Sequence, residues 1–301
     1  MAGPVKKKLL IGRGDRSIVF VSMGCIVVFY GLFFIYPLIY SAYGSFFEWD
    51  PLIKKFDFTG ISNYVKMAKE PSFWKSLENT FVFTVVMNIA RIFLGLFIAV
   101  AINSVRKFRT FFRTAYFLPV IASLLAASLI WGWIFDPNIG IVNTTLKAIG
   151  FDVSNLLWLQ SPKSALYSVM IMTIWKDLGF SVVLYLAGLS VIPSETIEAA
   201  AIDGASPWNV FWRIKFPLLQ PTTIFVLLTG TISYLQVFTQ IFILTKGGPY
   251  WSTSSILYLI YYEAFSRWNF GYAAAITQVL FVIIVIIALF QFWAMRRFWK
   301  V

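Results

Sequence analysis

The stretch Glu198-Ala199-Ala200-Ala201-Ile202-Asp203-Gly204-Ala205, followed by Trp208, Phe211, Ile214 and Pro217, lies between two long apolar windows, Leu166 to Leu189 and Thr222 to Thr245. Its local chemistry predicts a compact helical hairpin. Pro193-Ser194 offers a breaker and an N-cap, and Glu195 and Glu198 follow where the helix dipole favours acids. Gly204 suits the left-handed position that ends a helix. Ser206-Pro207 supplies a new N-cap and first-turn proline, and Pro217 is expected to stop the second helix. Ala199, Ala200 and Ala201 carry little bulk, so another protein can approach the first helix closely, while the Glu198 carboxylate can meet a partner's arginine or backbone donors. Glu-Ala-Ala alone has a plainer explanation, because both residue types favour helices. The whole ordered string carries more information than that.

Composition defines the medium around this hairpin. Of 301 residues, 59% are hydrophobic and only 13% charged, and the mean hydropathy is +0.77, which excludes an ordinary soluble fold. Six apolar windows of roughly 21 to 24 residues each match a hydrocarbon core about 30 Å thick. They run Ile18 to Tyr40, Thr80 to Ile102, Ala115 to Phe135, Leu166 to Leu189, Thr222 to Thr245 and Ala273 to Met295. These windows are too long for barrel strands, and backbone groups in lipid need hydrogen bonds within their own segment. The expected fold is therefore all-α, a polytopic membrane protein with six transmembrane helices. On this reading residues 1–301 form one transmembrane domain: a cytoplasmic N-terminus (1–17), six membrane helices (18–295) carrying the hairpin (194–217), and a cytoplasmic C-terminus (296–301).

Lysine and arginine density sets the expected orientation. Lys6, Lys7, Lys8, Arg13 and Arg16, then Arg106, Lys107, Arg109 and Arg113, then Arg296, Arg297 and Lys300 all fall on one side of a six-span arrangement. That side should be cytoplasmic, with both termini and the hairpin on it. Lys54, Lys55, Lys66, Lys69 and Lys75 in the first outer loop are sparser and interleaved with acids. A net charge of +12 is explained by basic residues flanking membrane spans, so lipid and not nucleic acid is the expected partner. The first window is too long for a cleaved signal peptide and is expected to be retained. Cys25 is the single cysteine, which excludes an intrachain disulfide. There is no histidine, no cysteine cluster, no metal-spaced carboxylate set and no G-x-x-x-x-G-K-[ST] phosphate loop. No catalytic residue, metal or cofactor is expected on this chain.

The ordered string Glu198-Ala199-Ala200, Asp203-Gly204-Ala205 and Phe216-Pro217 resembles the cytoplasmic loop of permease subunits of binding-protein-dependent ABC importers, with Phe216 where that loop commonly carries leucine. Other segments are similar to the sugar and glycerol-phosphate branch of these permeases: Phe58-Thr59-Gly60-Ile61-Ser62-Asn63-Tyr64, Phe73-Trp74 before Asn79-Thr80, Leu118-Pro119, Gly140-Ile141-Val142-Asn143, and Leu186-Ala187-Gly188-Leu189. Thr245-Lys246-Gly247-Gly248-Pro249 resembles the turn that marks the maltose-type first permease. The resemblance implies a type I ABC importer permease fold and import of a sugar or oligosaccharide. It implies a heterodimer with a second permease subunit, an outer solute-binding protein, and two ATP-binding subunits that would carry the ATP and magnesium. Those subunits would dock on Glu198, Ala199, Ala200, Asp203, Gly204, Ala205 and Pro217. It also implies that Lys176, Asp177, Phe180, Gly230, Tyr234 and Val237 occupy sugar-site positions. Of the last three only Tyr234 offers an obvious sugar-contacting group, a departure from the maltose-type pattern.

The residues themselves point to the same windows. Thr222, Thr229, Ser233, Gln236 and Gln240 fall within roughly 60° of arc at about 100° per residue, a polar stripe if the fifth window is one helix. Such a stripe lines a cavity or packs helices together. Trp175-Lys176-Asp177 puts two charges deep in the fourth window, either for substrate contact or for structural pairing, and a lysine in the site would favour an acidic sugar or a sugar phosphate such as glycerol phosphate. Thr84, Asn88, Arg91 and Gly95 form a polar face in the second window, where Arg91 is expected to pair with a buried carboxylate such as Asp177. Trp49, Trp74, Trp131, Trp133, Trp251 and Trp268 at outer ends, and Trp208, Trp212, Trp293 and Trp299 at inner ones, read as interfacial belts. A secondary transporter would leave the hairpin without a purpose, and a membrane enzyme or scaffold finds little support in these residues.

Overall fold

The structure is a computed structural model that describes residues 13–105, 107–153 and 156–298. Lys6, Lys7, Lys8, Arg106, Trp299 and Lys300, invoked above, lie outside the described residues. Helix α1 (Arg13–Tyr30) begins ahead of the predicted boundary at Ile18 and passes through a π-helical turn, Gly31–Ile35, into α2 (Tyr36–Gly44). The most apolar stretch of this first span buries nothing against the rest of the chain.

A two-stranded ladder follows, unforeseen by the window analysis: β1 (Phe47–Asp50) pairs antiparallel with β2 (Lys55–Phe58), Phe47 opposite Phe58 and Asp50 opposite Lys55. The signal was local. Aromatic and charged residues alternate in both strands, and Asp50 Oδ1 accepts from the Leu52 N–H at 2.9 Å to turn the chain. The ladder seats on the start of the last span, where Gly271 meets the Phe47 carbonyl and Trp49 packs on Phe270 with ring centroids 5.3 Å apart.

After α3 (Ser62–Lys69), the second span is α4 (Pro71–Ser104). Then comes the largest departure from the predicted windows. The third window is not one helix but α5 (Arg109–Ile121) and α6 (Leu124–Ile134), bent by 97°. Pro119 near the end of α5 lacks an N–H, and Ala122 and Ser123 are extended, so the helix cannot continue. Helix α7 (Ile141–Ala148) leads to α8 (Ala165–Val191), which matches the fourth window.

The hairpin region holds α9 (Ser194–Ile202), α10 (Pro207–Val210), a π-helical turn at Phe211–Lys215, and α11 (Phe216–Leu218). The fifth span departs from its window at both ends. Helix α12 (Gln220–Leu235) stops ten residues before the predicted Thr245, and α13 (Thr239–Leu244) follows a break at Gln236 to Phe238. At its start, α12 is preceded by the run Pro207–Leu218, bent from it by 59°. Pro217 sits in the first turn of α11, and the run ends one residue later at Leu218, as expected. Pro221 sits in the first turn of α12, where a missing N–H is tolerated, so the next helix begins at once beyond the bend at Leu219. Helix α14 (Ile256–Tyr261), a π-helical turn at Tyr262–Ser266 and α15 (Phe270–Phe298) complete the chain. Among the described residues four helices are long and apolar enough to cross a membrane, and the count becomes six when each bent pair is one span.

Close approach of backbones holds the bundle together, as expected where lipid removes the aqueous driving force. A β-carbon at Gly95 in α4 would sit 2.9 Å from Ser181 Cβ in α8; at Gly188 in α8, 2.6 Å from Thr222 Oγ1 in α12. At Gly179 it would overlap the Tyr116 carbonyl of α5. Polar staples add to this packing. Asn79 Nδ2 donates to the carbonyls of Trp251 and Ser254 at 2.9 and 3.0 Å, and Thr80 Oγ1 accepts from the Ile256 N–H at 3.0 Å. These bonds tie the 251–256 loop to α4.

Candidate functional site

Two regions concentrate the residues singled out above. The first is the hairpin. Helix α9 ends in a closed cap: the Gly204 N–H donates to Ala201 O at 3.1 Å, the Ala205 N–H to Ala200 O at 2.9 Å, and Gly204 takes φ +76°. Ser206 Oγ then accepts from the Asn209 N–H at 3.3 Å and starts α10. Ser194 departs from expectation. It is the first helical residue, and the extended Pro193 precedes it without a side-chain cap bond. Glu198, Ala199, Asp203, Gly204 and Pro217 are exposed, Ala200 and Ala205 half-buried. Around them Ile202 is 86% and Trp208 69% exposed, an apolar surface with no cover from this chain.

The second region is a buried polar cluster where α4, α8, α12 and α15 meet. Every polar residue on the Thr84–Asn88–Arg91 face is buried, because that face points at the neighbouring helices. Asn88 Nδ2 donates to Thr84 O at 2.9 Å and Thr231 Oγ1 at 3.3 Å, and Gln291 Nε2 reaches the same hydroxyl at 2.9 Å. Arg91 Nε donates to Ser181 Oγ. Its guanidinium carbon lies 5.2 Å from the Phe180 ring and 6.0 Å from the Tyr234 ring. Gly230 allows this convergence, since a β-carbon there would collide with Asn88 Oδ1 and sit 3.2 Å from Arg91 Nη1.

The predicted pairing of Arg91 with Asp177 is not formed. Arg91 takes the Ser181 hydroxyl, and the half-buried Asp177 stays within electrostatic reach of Arg91 without closing a salt bridge. Tyr234 is buried against Phe83, with its hydroxyl near Asp177 but not bonded to it. Asn88 Oδ1, Tyr234 OH and Gln291 Oε1 are all buried without a hydrogen-bond partner among the described residues. Leaving such atoms unpaired is costly, so this cluster calls for a further polar group, water included.

Other expected site residues have structural partners instead. Lys176 is 7% exposed, and its Nζ donates to Pro119 O at 3.3 Å and Val120 O at 3.0 Å. Those carbonyls end α5 at the 97° break, so the ammonium caps an interrupted helix where the dipole favours a cation. Val237 is buried with Phe83 and Tyr234, and its carbonyl accepts from Ser255 Oγ at 2.6 Å. Gln240 is buried on α13. The stripe predicted from Thr222 to Gln240 therefore does not exist as one helical face. Ser233 and Gln236 are exposed, and Phe180 is 37% exposed. Sequence reasoning passed over Thr231 and Gln291. Gln291 is one of two amides, with Gln278, inside the last apolar window, and such a polar interruption was a usable signal.

A bent helical bundle with an exposed hairpin and a polar centre on shared helices belongs to a membrane transport subunit. Residues 91–300 match the family of binding-protein-dependent transport system inner membrane components, and the chain is a member of that family. It is 36% identical over 267 residues to the multiple sugar-binding transport system permease protein MsmF of Streptococcus mutans, covering 89% of this chain and 91% of that one. It is 32% identical over 262 residues to the sn-glycerol-3-phosphate transport system permease protein UgpA of Rhizobium meliloti, covering 87% and 88%. Its fold superposes on a chain of a bacterial alginate ABC transporter with a TM-score of 0.83, 24% identity, and coverage of 97% and 98%. The protein is thus a multi-pass membrane permease of the type I ABC importer fold, a transport subunit and not an enzyme, working with a solute-binding protein and ATPase subunits.

Proposed function

We propose that this permease forms half of the translocation path for a sugar or oligosaccharide handed over by its solute-binding protein. The observation that carries the reading is that the polar cluster and the hairpin share α8 and the bent run into α12. Relatives named for sugar and glycerol-phosphate transport support the solute class. In this reading Glu198, Ala199, Ala200, Asp203, Gly204, Ala205 and Pro217 meet an ATP-binding subunit in the cytoplasm, and both termini lie on that side. ATP and magnesium stay on those subunits. A second, different permease covers the bare first span and completes the path. The single transmembrane domain then moves as α8 and the Pro207–Leu235 run tilt with the hairpin.

The mechanism follows from rigidity. The closed cap at Gly204 transmits a push on α9 into α10 with little slack. The 59° bend at Leu219 converts it into a tilt of α12, which carries Tyr234 and Thr231 past Asn88 and Arg91. Asn88 Oδ1, Tyr234 OH, Gln291 Oε1 and Asp177 then offer hydrogen-bonding groups for solute hydroxyls, while Phe180, Ser233 and Gln236 lie on the accessible approach. In proteoliposomes holding the whole complex, Glu198→Arg should uncouple solute-stimulated ATP hydrolysis without preventing assembly. Full stimulation by the solute-loaded binding protein in a correctly assembled variant would sink this reading.

An acidic sugar or sugar phosphate is the second reading, and a specific observation favours it. Arg91 is 5% exposed and has no carboxylate closed upon it among the described residues, so a buried cation is free to meet an anionic solute. Lys176, occupied with the α5 carbonyls, does not supply that charge.

A further inference from the structure

Where α5 starts and α8 ends, two grooves run together along α5. The first, about 420 Å³, is lined by Arg109, Thr110 and Arg113 of α5 and by Val183, Ala187 and Ser190 of α8. The second, about 340 Å³, shares Thr110, Arg113 and Val183 and continues past Phe117, Leu118 and Ile121. Neither contains an acidic residue. Arg109 and Arg113 stand one helical turn apart, and neither has an ion pair or side-chain hydrogen bond among the described residues. No acid lies in the first turn of α5 and no side chain caps it, which adds to the positive potential of the guanidinium pair.

We propose that this groove binds the headgroup of an anionic phospholipid, with the phosphate between Arg109 and Arg113 and an acyl chain along Phe117, Leu118 and Ile121. The polarity gradient selects the occupant. A soluble anion would use the arginines and leave the apolar extension empty, whereas an amphiphile fills both. The two guanidiniums match a phosphate in charge and in bidentate geometry. Helix α5 has no buried residue, so no described residue of this chain covers the groove. Interfacial basic clusters of this kind recruit anionic lipids.

The position gives the lipid a lever. Ser190 lies on the last turn of α8, and α9 of the hairpin begins at Ser194. A phosphate held by α5 and touching Ser190 ties the broken third span to the end of α8, next to the element proposed to receive the ATPase. The leaflet rests on the orientation proposed above. The site itself does not.

The test uses the intact complex in phosphatidylcholine vesicles carrying a small fraction of photoactivatable phosphatidylglycerol or, separately, photoactivatable phosphatidylcholine. Labelled peptides are then mapped. Phosphatidylglycerol should label α5 and the end of α8, and Arg109→Gln with Arg113→Gln should reduce that labelling by about tenfold. The double lysine variant should retain most of it, which separates lost charge from misfolding. Equal labelling by the two lipids, or labelling unchanged in the glutamine variant, would overturn the proposal. So would protection of the groove by the second permease, read as a protein cross-link from a photoactivatable residue at position 117. Because labelling is scored on protein irrespective of ATP hydrolysis, a failure of the coupling mechanism cannot be mistaken for failure of the lipid site.

Discussion

At the hairpin, backbone groups at the turn are satisfied within the segment, while Ile202 and Trp208 stand bare. In the polar cluster the reverse holds: the side chains are buried, yet Asn88 Oδ1, Tyr234 OH and Gln291 Oε1 have no partner among the described residues. The contrast separates two ways of being incomplete. Bare apolar surface on a rigid, self-capped turn is completed by a protein that stays bound. Unpaired polar atoms inside a bundle are completed by a group that comes and goes, or by a second arrangement of the helices. In the mechanism proposed above, the hairpin as lever and the polar cluster as chamber need those two kinds of incompleteness.

The largest effect should come from breaking the lever's rigidity. Gly204→Val forces a β-branched residue into φ +76°, at a cost of about 1–2 kcal/mol or relief by opening the turn. Either way solute-stimulated ATP hydrolysis should fall by about tenfold in the assembled complex, the size of a 1.4 kcal/mol change. Retained coupling would mean that the turn does not transmit force. Next comes the chamber. Arg91→Ala removes the cation and strands Ser181, and solute uptake should drop by about tenfold while assembly is preserved. If Arg91→Lys restores uptake of an acidic solute better than of a neutral one, the second reading of the substrate gains.

Lys176→Met sharpens the boundary of the chamber. Two charge-assisted bonds to the end of α5 are lost, so thermal stability should fall by an amount equivalent to about 1–3 kcal/mol, with solute preference unchanged. A changed preference at unchanged stability would return Lys176 to the path. The smallest effect belongs to Glu263 in the turn between α14 and α15, buried beside Arg267 at 3.0 Å with its second oxygen unpartnered among the described residues. Burial pushes its carboxyl up, against the opposing pull of Arg267 and Lys66. A raised carboxyl favours folding below the ordinary carboxylate range, and that contribution is lost as pH rises through the folded value. Glu263→Gln should therefore match the parent at low pH and be equal or slightly more stable at neutral pH, read as melting temperature against pH. A neutral-pH loss would show that the Arg267 pair outweighs the burial cost.

The outline of the fold was legible because membrane insertion leaves long apolar windows, and four of the spans sit close to where composition puts them. The hairpin was legible because capping is local: Gly204, Ser206 and Pro207 do at the turn what their chemistry predicts. The breaks were not. Apolarity continues through Ala122, and Gln236 reads as one more polar position of a helical stripe inside an apolar window, so hydropathy carries no mark of the 97° bend or of the end of α12. Pro217 ends its run within one residue, as its chemistry predicts, whereas the immediate restart at Gln220 and the 59° angle carry no mark in the sequence.

The candidate site divides along the same line. Sequence periodicity found Thr84, Asn88 and Arg91, because α4 is one unbroken helix and spacing translates into a face. It failed for Gln236 and Gln240, which lie beyond the end of α12, because spacing means nothing across a break. For Lys176 and Arg91, sequence alone determined that buried charges needed partners. Only the tertiary structure decided which ones, the last carbonyls of α5 for Lys176 and the Ser181 hydroxyl for Arg91. Local chemistry acts between neighbours in the chain and can be read from it, whereas the partner of a buried polar group is chosen by helix crossings, and those depend on glycines and breaks acting together across the bundle.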